Sequence, residues 1–592
     1  MQRTDVSAMH DFRGMPCPAS ACILERLLCA QRRTSLPDHP GIVMKANRLA
    51  VALASLLLCS APAFAAAPPS SADSSAQASA GKSDQSESLI QKLSKPLSST
   101  TTGTVTVEGK AISYEAVAGT LVLDGTGVNE GTPQVAMSYV AYFKQGVDPS
   151  KRPVTFIYNG GPGSSTVWLH MGAWGPHRIV TNDDTHTPAA PYQLVNNDYS
   201  LLDASDLVFI DMPGTGFGRL LSQGKDDAAR AKSHKELAKE YWGIDGDAQA
   251  FSRFITQFLS KYNRWNSPKF LFGESYGTTR SAVLSNVLQR QYNVDLNGVM
   301  LLSQILNFSL SIDGADMNPG VDMSYVTALP TFAATAWYHH KLPKYNNGGL
   351  APLLKEATHW ATTDYEQALA AGSTLSAEKK QQVARKLSDY TGLPVAYLLK
   401  ADLRVTGGMF EQQLLSGTDS DTGRLDTRFS GPSMDPLGKT SDYDPQSAAI
   451  SSAYVSAFNS YVRNTLKFGE GMTFRPSVYG ADDFHWDWKH KAPGQRFSRG
   501  GTPNVMLDLA VAMKYNPNMK VKLFGGFYDL ATPFYTAIYE MEHLPIPASL
   551  QKNISYAFFP SGHMVYAHLP SLKQLHDDAA AFIEANDNQG NK

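Results

Sequence analysis

The chain of 592 residues is long enough to bury one large hydrophobic core or two smaller ones. Its composition is ordinary, with 43% hydrophobic and 18% charged residues, and its formal net charge is only −2 at pH 7. Because this balance lacks a basic excess, it argues against nucleic acid or an anionic membrane surface as a partner.

An export signal is predicted over residues 44–65. A basic start at Met44 is followed by an apolar run to Leu58 and by a small-residue cleavage sequence that ends at Ala65. The run is too short to span a bilayer, so we expect export to the periplasm or the extracellular medium without a stable membrane anchor. Residues 1–43 precede this signal, which suggests that translation starts at Met44. The alternative is an unusual leader with a membrane anchor.

The cysteines support an exported chain that has no disulfide. All four lie before the predicted cleavage point, at Cys17, Cys22, Cys29 and Cys59. The mature protein would have no thiol for catalysis or metal binding, and its stability would depend on the size of its core. Residues 66–97 are rich in Ala, Ser, Pro and Gln without apolar periodicity, which predicts a disordered linker.

Segments with strand-like alternation follow between residues 101 and 144, and they favour an antiparallel entry to a sheet. Pro153–Tyr158 then forms an apolar strand that runs into Asn159-Gly-Gly-Pro-Gly163. Such a loop exposes backbone N–H groups, which suits an oxyanion hole. A phosphate loop is rejected because no Gly-Lys-[Ser/Thr] follows, and a plain structural turn is the remaining alternative.

The segment from Lys269 to Arg280 predicts a strand, a tight turn and a helix. Only glycine tolerates so abrupt a turn, and Gly273-Glu-Ser-Tyr-Gly277 would push Ser275 out above the edge of the sheet. An amphipathic helix precedes the strand, with Asp247 as a plausible N-cap. Ser275 is therefore the candidate nucleophile, and the alternative is a Gly-rich turn that contains a serine by chance.

Strand signals stop between about residues 310 and 500, where helical patterns alternate with turn-rich gaps. The stretch is too long for a loop and predicts an inserted, largely helical cap over the active site. Its His485–His490 cluster fits aromatic packing better than a metal site, and Asp419–Gly423 lacks the later ligands of a calcium loop. We therefore expect no metal and no other cofactor.

Two strands resume after residue 500, and each leads to a polar residue, Asp529 in one case and His563 in the other. Ser275, Asp529 and His563 thus lie in three strand-end loops, in the chain order of α/β-hydrolases. His563 would remove the serine proton, and Asp529 would fix the tautomer of the imidazole. A satisfied surface histidine is the alternative for His563 taken alone.

The predicted fold is α/β, with the mainly parallel central sheet of an α/β-hydrolase, flanking helices and an inserted helical cap. The predicted segments are an upstream piece (1–43), a signal peptide (44–65), a linker (66–97), the first part of the core (98–309), the cap (310–500) and the second part of the core (501–592).

Several blocks together resemble the serine carboxypeptidase family of α/β-hydrolases, as in an exported bacterial member. They are Asn159–Ser165, Asp211–Phe217, Gly273–Gly277, Gly526–Asp529 and Gly562–Met564. The resemblance spans roughly residues 150–585. It implies a serine carboxypeptidase that removes single residues from peptides with a free C-terminus.

The resemblance also implies a role for each of seven residues. These are a catalytic triad of Ser275, Asp529 and His563, an oxyanion hole from the N–H groups of Gly161 and Tyr276, and carboxylate-binding side chains at Asn159 and Glu274. Glu274 can hold a carboxylate only when it is protonated, because two carboxylates in contact cannot both ionise. An acidic pH optimum is therefore expected.

The chain departs from the family pattern in three places, one of which is Met564-Val-Tyr566 after His563, where an early Pro is more common. Ala173 stands where the family has a Glu that pairs with the one beside the nucleophile, and Ser164 replaces a usual Cys. The loss of that carboxyl partner bears on the strength and pH range of carboxylate recognition. The alternatives are an esterase or acyltransferase on the same scaffold, and a catalytically silent peptide-binding protein.

Overall fold

The computed structural model describes residues 88–345, 348–498 and 500–588. The predictions for residues 1–43 and for the signal peptide at 44–65 lie outside these residues. Among the described helices, not one combines the length and the apolar character needed to cross a membrane.

The end of the predicted linker is ordered. Residues 88–93 are helical, and Leu93 is fully buried in the core that lies on one face of the sheet. Ile90 packs against the same core, and the N–H of Leu97 donates to Thr120 Oγ1 at 3.0 Å. The prediction of disorder is therefore wrong for residues 88–97, because a few spaced apolar side chains suffice to anchor a segment with a polar composition.

A ten-stranded sheet forms the centre of the described structure, with the strand order β1-β2-β3-β7-β4-β9-β10-β13-β14 and with β8 paired to β3. The strands of the described structure are β1 (Ser98–Val107), β2 (Lys110–Asp124), β3 (Pro133–Lys144), β4 (Val154–Tyr158), β5 (His177–Ile179), β6 (Leu194–Asn196), β7 (Asp206–Ile210), β8 (Arg219–Leu220), β9 (Lys269–Glu274), β10 (Gly298–Leu302), β11 (Ser420–Thr422), β12 (Ser430–Pro432), β13 (Lys520–Gly526) and β14 (Ile554–Phe559). Two pairs, β5 with β6 and β11 with β12, form separate two-stranded sheets. Strands β1 to β3 are antiparallel, and all pairs from β7 to β14 along the sheet are parallel. This topology confirms the predicted α/β fold.

Helices cover both faces of the sheet, as the apolar strands require. The main helices of the described structure, those of the inserted segment included, are α1 (Asp227–Tyr241), α2 (Ile244–Lys261), α3 (Tyr276–Gln291), α4 (Met323–Tyr338), α5 (Leu350–Trp360), α6 (Glu366–Ala370), α7 (Ala377–Thr391), α8 (Val395–Lys400), α9 (Gly407–Leu414), α10 (Pro445–Asn464), α11 (Met506–Tyr515), α12 (Phe534–Glu542), α13 (Ala548–Gln551) and α14 (Leu569–Asn586). Alternation along β9 shows the two faces: Phe270 and Phe272 join the core that includes α14, whereas Leu271 joins the core that includes α2 and α3.

The chain between β10 and β13 is mostly helical, and its helices α4, α5, α7 and α9 share a separate hydrophobic core. Leu530, which directly follows Asp529, is fully buried in that core. Helix α11 belongs instead to the core of the sheet, because its Leu509 and Met513 pack with α3. The inserted segment is thus joined to the loop after β13 by apolar packing.

Candidate active site

Ser275 lies in a sharp turn between β9 and α3. Its backbone has φ 60° and ψ −129°, a region that a residue with a side chain rarely adopts. A Cβ on Gly273 would collide with the carbonyl oxygen of Gly277, so only glycine allows the chain to turn so tightly. The N–H of Ser275 donates to the Leu302 carbonyl at 3.0 Å, which anchors the turn to the neighbouring strand β10.

His563 and Asp529 form a buried hydrogen-bonded pair at the ends of β14 and β13. Nδ1 of His563 lies 2.8 Å from Oδ2 of Asp529, and neither side chain is more than 5% exposed. Thr532 donates to the same carboxylate from its N–H at 2.9 Å and from its hydroxyl at 2.7 Å. Burial alone would lower the pKa of His563, but the Asp529 carboxylate and, to a smaller extent, Glu274 act in the opposite direction, and the net result is a raised pKa.

The two loops that carry this pair are held by the inserted segment, through residues 424–428. The N–H of His563 donates to the Leu425 carbonyl at 2.6 Å, and the N–H of Gly562 donates to the Asp426 carboxylate at 3.1 Å. The carbonyl of Arg424 accepts the N–H groups of two residues that follow Asp529. These contacts were not predicted from the sequence, because they join segments about a hundred residues apart and leave no local pattern.

The glycine loop after β4 lies directly against the serine turn. A Cβ on Gly160 would collide with the N–H of Tyr276, so glycine is needed for the two backbones to approach. Gly161 has φ 111°, and Tyr479 of the inserted segment packs where its Cβ would stand. The loop is held from below because Arg280 Nη1 donates to the Asn159 carbonyl at 2.7 Å.

Glu274 precedes the serine and is only 4% exposed. Its Oε2 atom has no hydrogen-bond partner among the described residues. Burial raises the pKa of the Glu274 carboxyl to about 7, and the charge of Asp529 adds to this rise. His563 and the polar groups of Tyr566 and Asn159 act in the opposite direction. The carboxyl is therefore neutral over the acidic range and available as a hydrogen-bond donor.

These groups open into one cavity of about 490 Å³. Its lining includes Asn159, Gly161, Glu274, Ser275, Arg424 and His563. The structure thus brings together the sequence-predicted residues, with Asp529 behind His563 and with Tyr276 directly after Ser275. The cavity has an apolar side formed by Trp168, Ile450 and Met564. A serine, a histidine that is paired with a carboxylate, and a neutral buried carboxyl group thus line one cavity.

The two clusters with a metal-binding alternative are engaged in other contacts. His490 lies between Asp245 at 2.6 Å and Asp508 at 2.8 Å, and Trp486 packs edge-on against the ring of Tyr276 at 5.2 Å. Ser420–Thr422 is a strand of a small hairpin. Among the described residues, the one grouping with metal-like spacing is Glu108, His576 and Asp577, which lies outside the cavity.

The chain is similar to known carboxypeptidases over part of its length. The protein-family model described as "Serine carboxypeptidase" matches residues 128–325 of this chain. The pheromone-processing carboxypeptidase KEX1 of Phytophthora infestans (strain T30-4) is 24% identical over 172 residues, which cover 27% of this chain and 25% of that protein. Carboxypeptidase S1 of Penicillium janthinellum is 23% identical over 236 residues, 38% of this chain and 49% of that protein. The chain thus spans half or less of the length of these curated relatives.

Solved structures of hydrolases are also similar. A lipase in its open form is 14% identical, covers 79% of this chain and 100% of its own, and gives a TM-score of 0.30. The peroxisomal alpha-beta-hydrolase Lpx1 of Saccharomyces cerevisiae is 9% identical, with coverage of 84% and 91% and a TM-score of 0.30. The family match itself contains both the Asn159–Gly163 loop and the turn at Ser275, so this part of the chain is similar to serine carboxypeptidases.

Proposed function

We propose that the protein is a serine-type carboxypeptidase, which hydrolyses the C-terminal peptide bond of peptides through an acyl-enzyme on Ser275. One observation carries the proposal: Ser275 and His563 line the same cavity as Glu274, a buried carboxyl group with an unpartnered oxygen. The first two residues supply a nucleophile and a base. The third supplies a means of recognising a terminal carboxylate.

In the proposed acylation step, Nε2 of His563 takes the proton of the Ser275 hydroxyl while Oγ bonds to the scissile carbonyl carbon. The N–H groups of Gly161 and Tyr276 donate to the oxygen that becomes negative. The imidazolium then gives its proton to the departing nitrogen, and the C–N bond breaks. Water, activated by the same imidazole, hydrolyses the ester and frees Ser275. The Asp529 carboxylate orients the imidazole and stabilises the imidazolium throughout.

Recognition of the free C-terminus is assigned to Glu274 and Asn159. Oδ1 of Asn159 accepts the N–H of Leu169 at 3.1 Å. Because this contact occupies the amide oxygen, the amide nitrogen is the atom that would donate to the substrate. Protonated Glu274 would donate to the other carboxylate oxygen. Since its pKa is about 7, it loses this proton above that pH and then repels the substrate. We therefore expect kcat/KM for free-acid peptides to fall above about pH 7.

The test compares an N-blocked dipeptide that has a free carboxylate with the same peptide amidated, from pH 4 to 8. We expect the wild-type protein to cleave the free acid at least about 100-fold faster than the amide, since a buried donor left unpaired rejects an analogue strongly. Ser275→Ala serves as the matched control and should cleave neither. Equal cleavage of both peptides would remove the role of Glu274, and hydrolysis of a simple ester alone would indicate an esterase.

A second prediction concerns Tyr566, which takes up space beside Ala173. A Cβ on Gly172 would lie 2.6 Å from the Tyr566 ring and 2.7 Å from the hydroxyl of Tyr454, so both tyrosines pack at this position. The hydroxyl of Tyr566 is buried without a partner among the described residues, as is Oε2 of Glu274. Tyr566 favours the ionised form of Glu274. Burial, and after it the charge of Glu274, raises the pKa of both phenols.

Tyr566→Phe is therefore expected to raise the pKa of Glu274 and to extend carboxypeptidase activity upward in pH. We expect the ratio of kcat/KM at pH 8 to kcat/KM at pH 6, measured with the free-acid peptide, to be roughly threefold higher than in the wild type, which corresponds to a pKa rise of about half a unit. His563 and Asp529 also face Glu274, so an ester without a free carboxylate serves as the control. A parallel change in the ester profile would place the effect on His563 instead.

We also propose that the mature protein acts outside the cytoplasm, in the periplasm or the extracellular medium. This proposal rests on the signal-peptide pattern of residues 44–65. N-terminal sequencing of the protein recovered from cell fractions would test it, with a first residue at or near Ala66 as the expected result.

A further inference from the structure

A second cavity, of about 360 Å³, lies beside α1 and shares no lining residue with the candidate active site. Its polar lining consists of Arg219, Ser222, Arg230, His234, Arg475 and Asp483. Three arginines thus face one carboxylate. Arg230 pairs with Asp227 at 2.5 Å, and Asp483 lies 2.6 Å from His234. The positive charge that remains to be explained belongs to Arg219 and Arg475.

Arg219 is a buried cation without an acidic partner in the described structure. Its side chain donates only to backbone carbonyls, those of Gly216 at 3.2 Å, Gly218 at 2.6 Å and Thr473 at 2.6 Å. Four other arginines are also no more than 9% exposed, and each has a carboxylate within 3.1 Å: Arg152, Arg264, Arg280 and Arg428. An unpaired buried charge is costly, so Arg219 stands out from its own class in this protein.

Arg475 places a second guanidinium next to the first. Its N–H donates to the Gly216 carbonyl at 2.9 Å and its carbonyl accepts the N–H of Gly216 at 2.7 Å, so both arginines meet at this glycine. The Arg475 side chain makes no hydrogen bond within the described residues. Burial lowers the pKa of Arg219, and Arg475 lowers it further. Burial also lowers the pKa of Arg475, while the charge of Asp483 acts on it in the opposite direction. Two repelling cations are thus held together at the wall of a cavity.

We propose that this pocket, lined by Arg219 and Arg475, binds a small-molecule oxyanion, that is, a compound with a phosphate or carboxylate group. Guanidinium groups bind such oxygens in bidentate geometry, and a bound anion would supply the counter-charge that Arg219 lacks. The segment that carries Arg475 continues to Ser477 and Tyr479, which line the candidate active site. The anion would therefore fix a segment that both cavities share.

The test measures thermal unfolding and calorimetric binding of the purified protein with inorganic phosphate or citrate, at constant ionic strength set with sodium chloride. We expect a saturable rise in unfolding temperature of at least about 2 °C with one of the two anions. Arg475→Gln should bind that anion roughly tenfold more weakly or worse. Arg496→Gln, which removes an exposed arginine elsewhere in the inserted segment, should bind it as the wild type does.

The two anions separate the two ligand classes, since a response to phosphate alone indicates phosphate compounds and a response to citrate alone indicates carboxylates. The proposal is overturned if neither anion acts beyond sodium chloride, or if Arg475→Gln binds as tightly as the wild type. Cleavage of peptides is not a readout here, so failure of the proposed activity would leave this test unaffected.

Discussion

Asp529→Asn is expected to lower kcat by about 10⁴-fold while leaving the fold intact, which is the effect expected when the carboxylate of a Ser-His-Asp triad is lost. An asparagine of the same shape cannot stabilise the imidazolium, and its amide can hold His563 in the wrong tautomer. Because Asp529 raises the pKa of His563, its loss should also lower that pKa. The acidic limb of the residual activity should then move to lower pH.

Thr532→Val provides the matched control for this prediction. It removes a 2.7 Å hydrogen bond from the same carboxylate but leaves the negative charge in place. We expect a loss of about tenfold at most, the cost of one hydrogen bond to a charged group. Steady-state kinetics from pH 4 to 8, together with circular dichroism of each variant, would measure both effects. If kcat of Asp529→Asn is within tenfold of the wild-type value, His563 and Asp529 do not act as base and orienting carboxylate.

The arrangement of strands and their terminal loops was predictable from the sequence because its signals are local. The residues proposed for chemistry follow the carboxyl ends of β4, β9, β13 and β14, and parallel strands bring these ends to one edge of the sheet. Gly161 and Gly273 indicate the turns in the sequence, because a Cβ at either position would collide with another segment of the protein. Short-range patterns of this kind can be recognised in the sequence without any knowledge of tertiary contacts.

The supporting contacts were not predictable, because they depend on pairs that are distant in sequence. Residues 424–428, which hold the loops of Asp529 and His563, have the sequence of an ordinary polar turn. Their role is visible only from the contacts in the folded structure. Asp247 is a clearer case, since its position near the start of α2 suggests an N-cap. The N-cap is instead Gly243, and Asp247 is a fully buried partner of Arg280. Nothing local distinguishes a capping carboxylate from a buried ion pair.

That ion pair leads to the second large effect, because Asp247→Asn is expected to destabilise the fold by about 3–5 kcal/mol. Nε of Arg280 lies 2.6 Å from the Asp247 carboxylate, and both side chains are 0% exposed. The guanidinium also stacks on Phe251 at 4.3 Å and donates to the Asn159 carbonyl. Removing the negative partner would leave a cation buried beneath the serine turn. Urea unfolding of the two proteins would measure the loss of stability.

The double variant Asp247→Leu with Arg280→Met separates stability from activity. Replacing both charges by apolar groups of similar size leaves no unpaired ion. We therefore expect the double variant to be more stable than Asp247→Asn by roughly several kcal/mol. It still loses the 2.7 Å hydrogen bond from Arg280 to the Asn159 carbonyl. Because that bond holds the loop of Gly161, we expect kcat/KM to fall by roughly 10- to 100-fold in a well-folded protein. If the double variant is no more stable than the single one, the two charges do not act as a pair, and full activity in the double variant would show that the loop is positioned without Arg280.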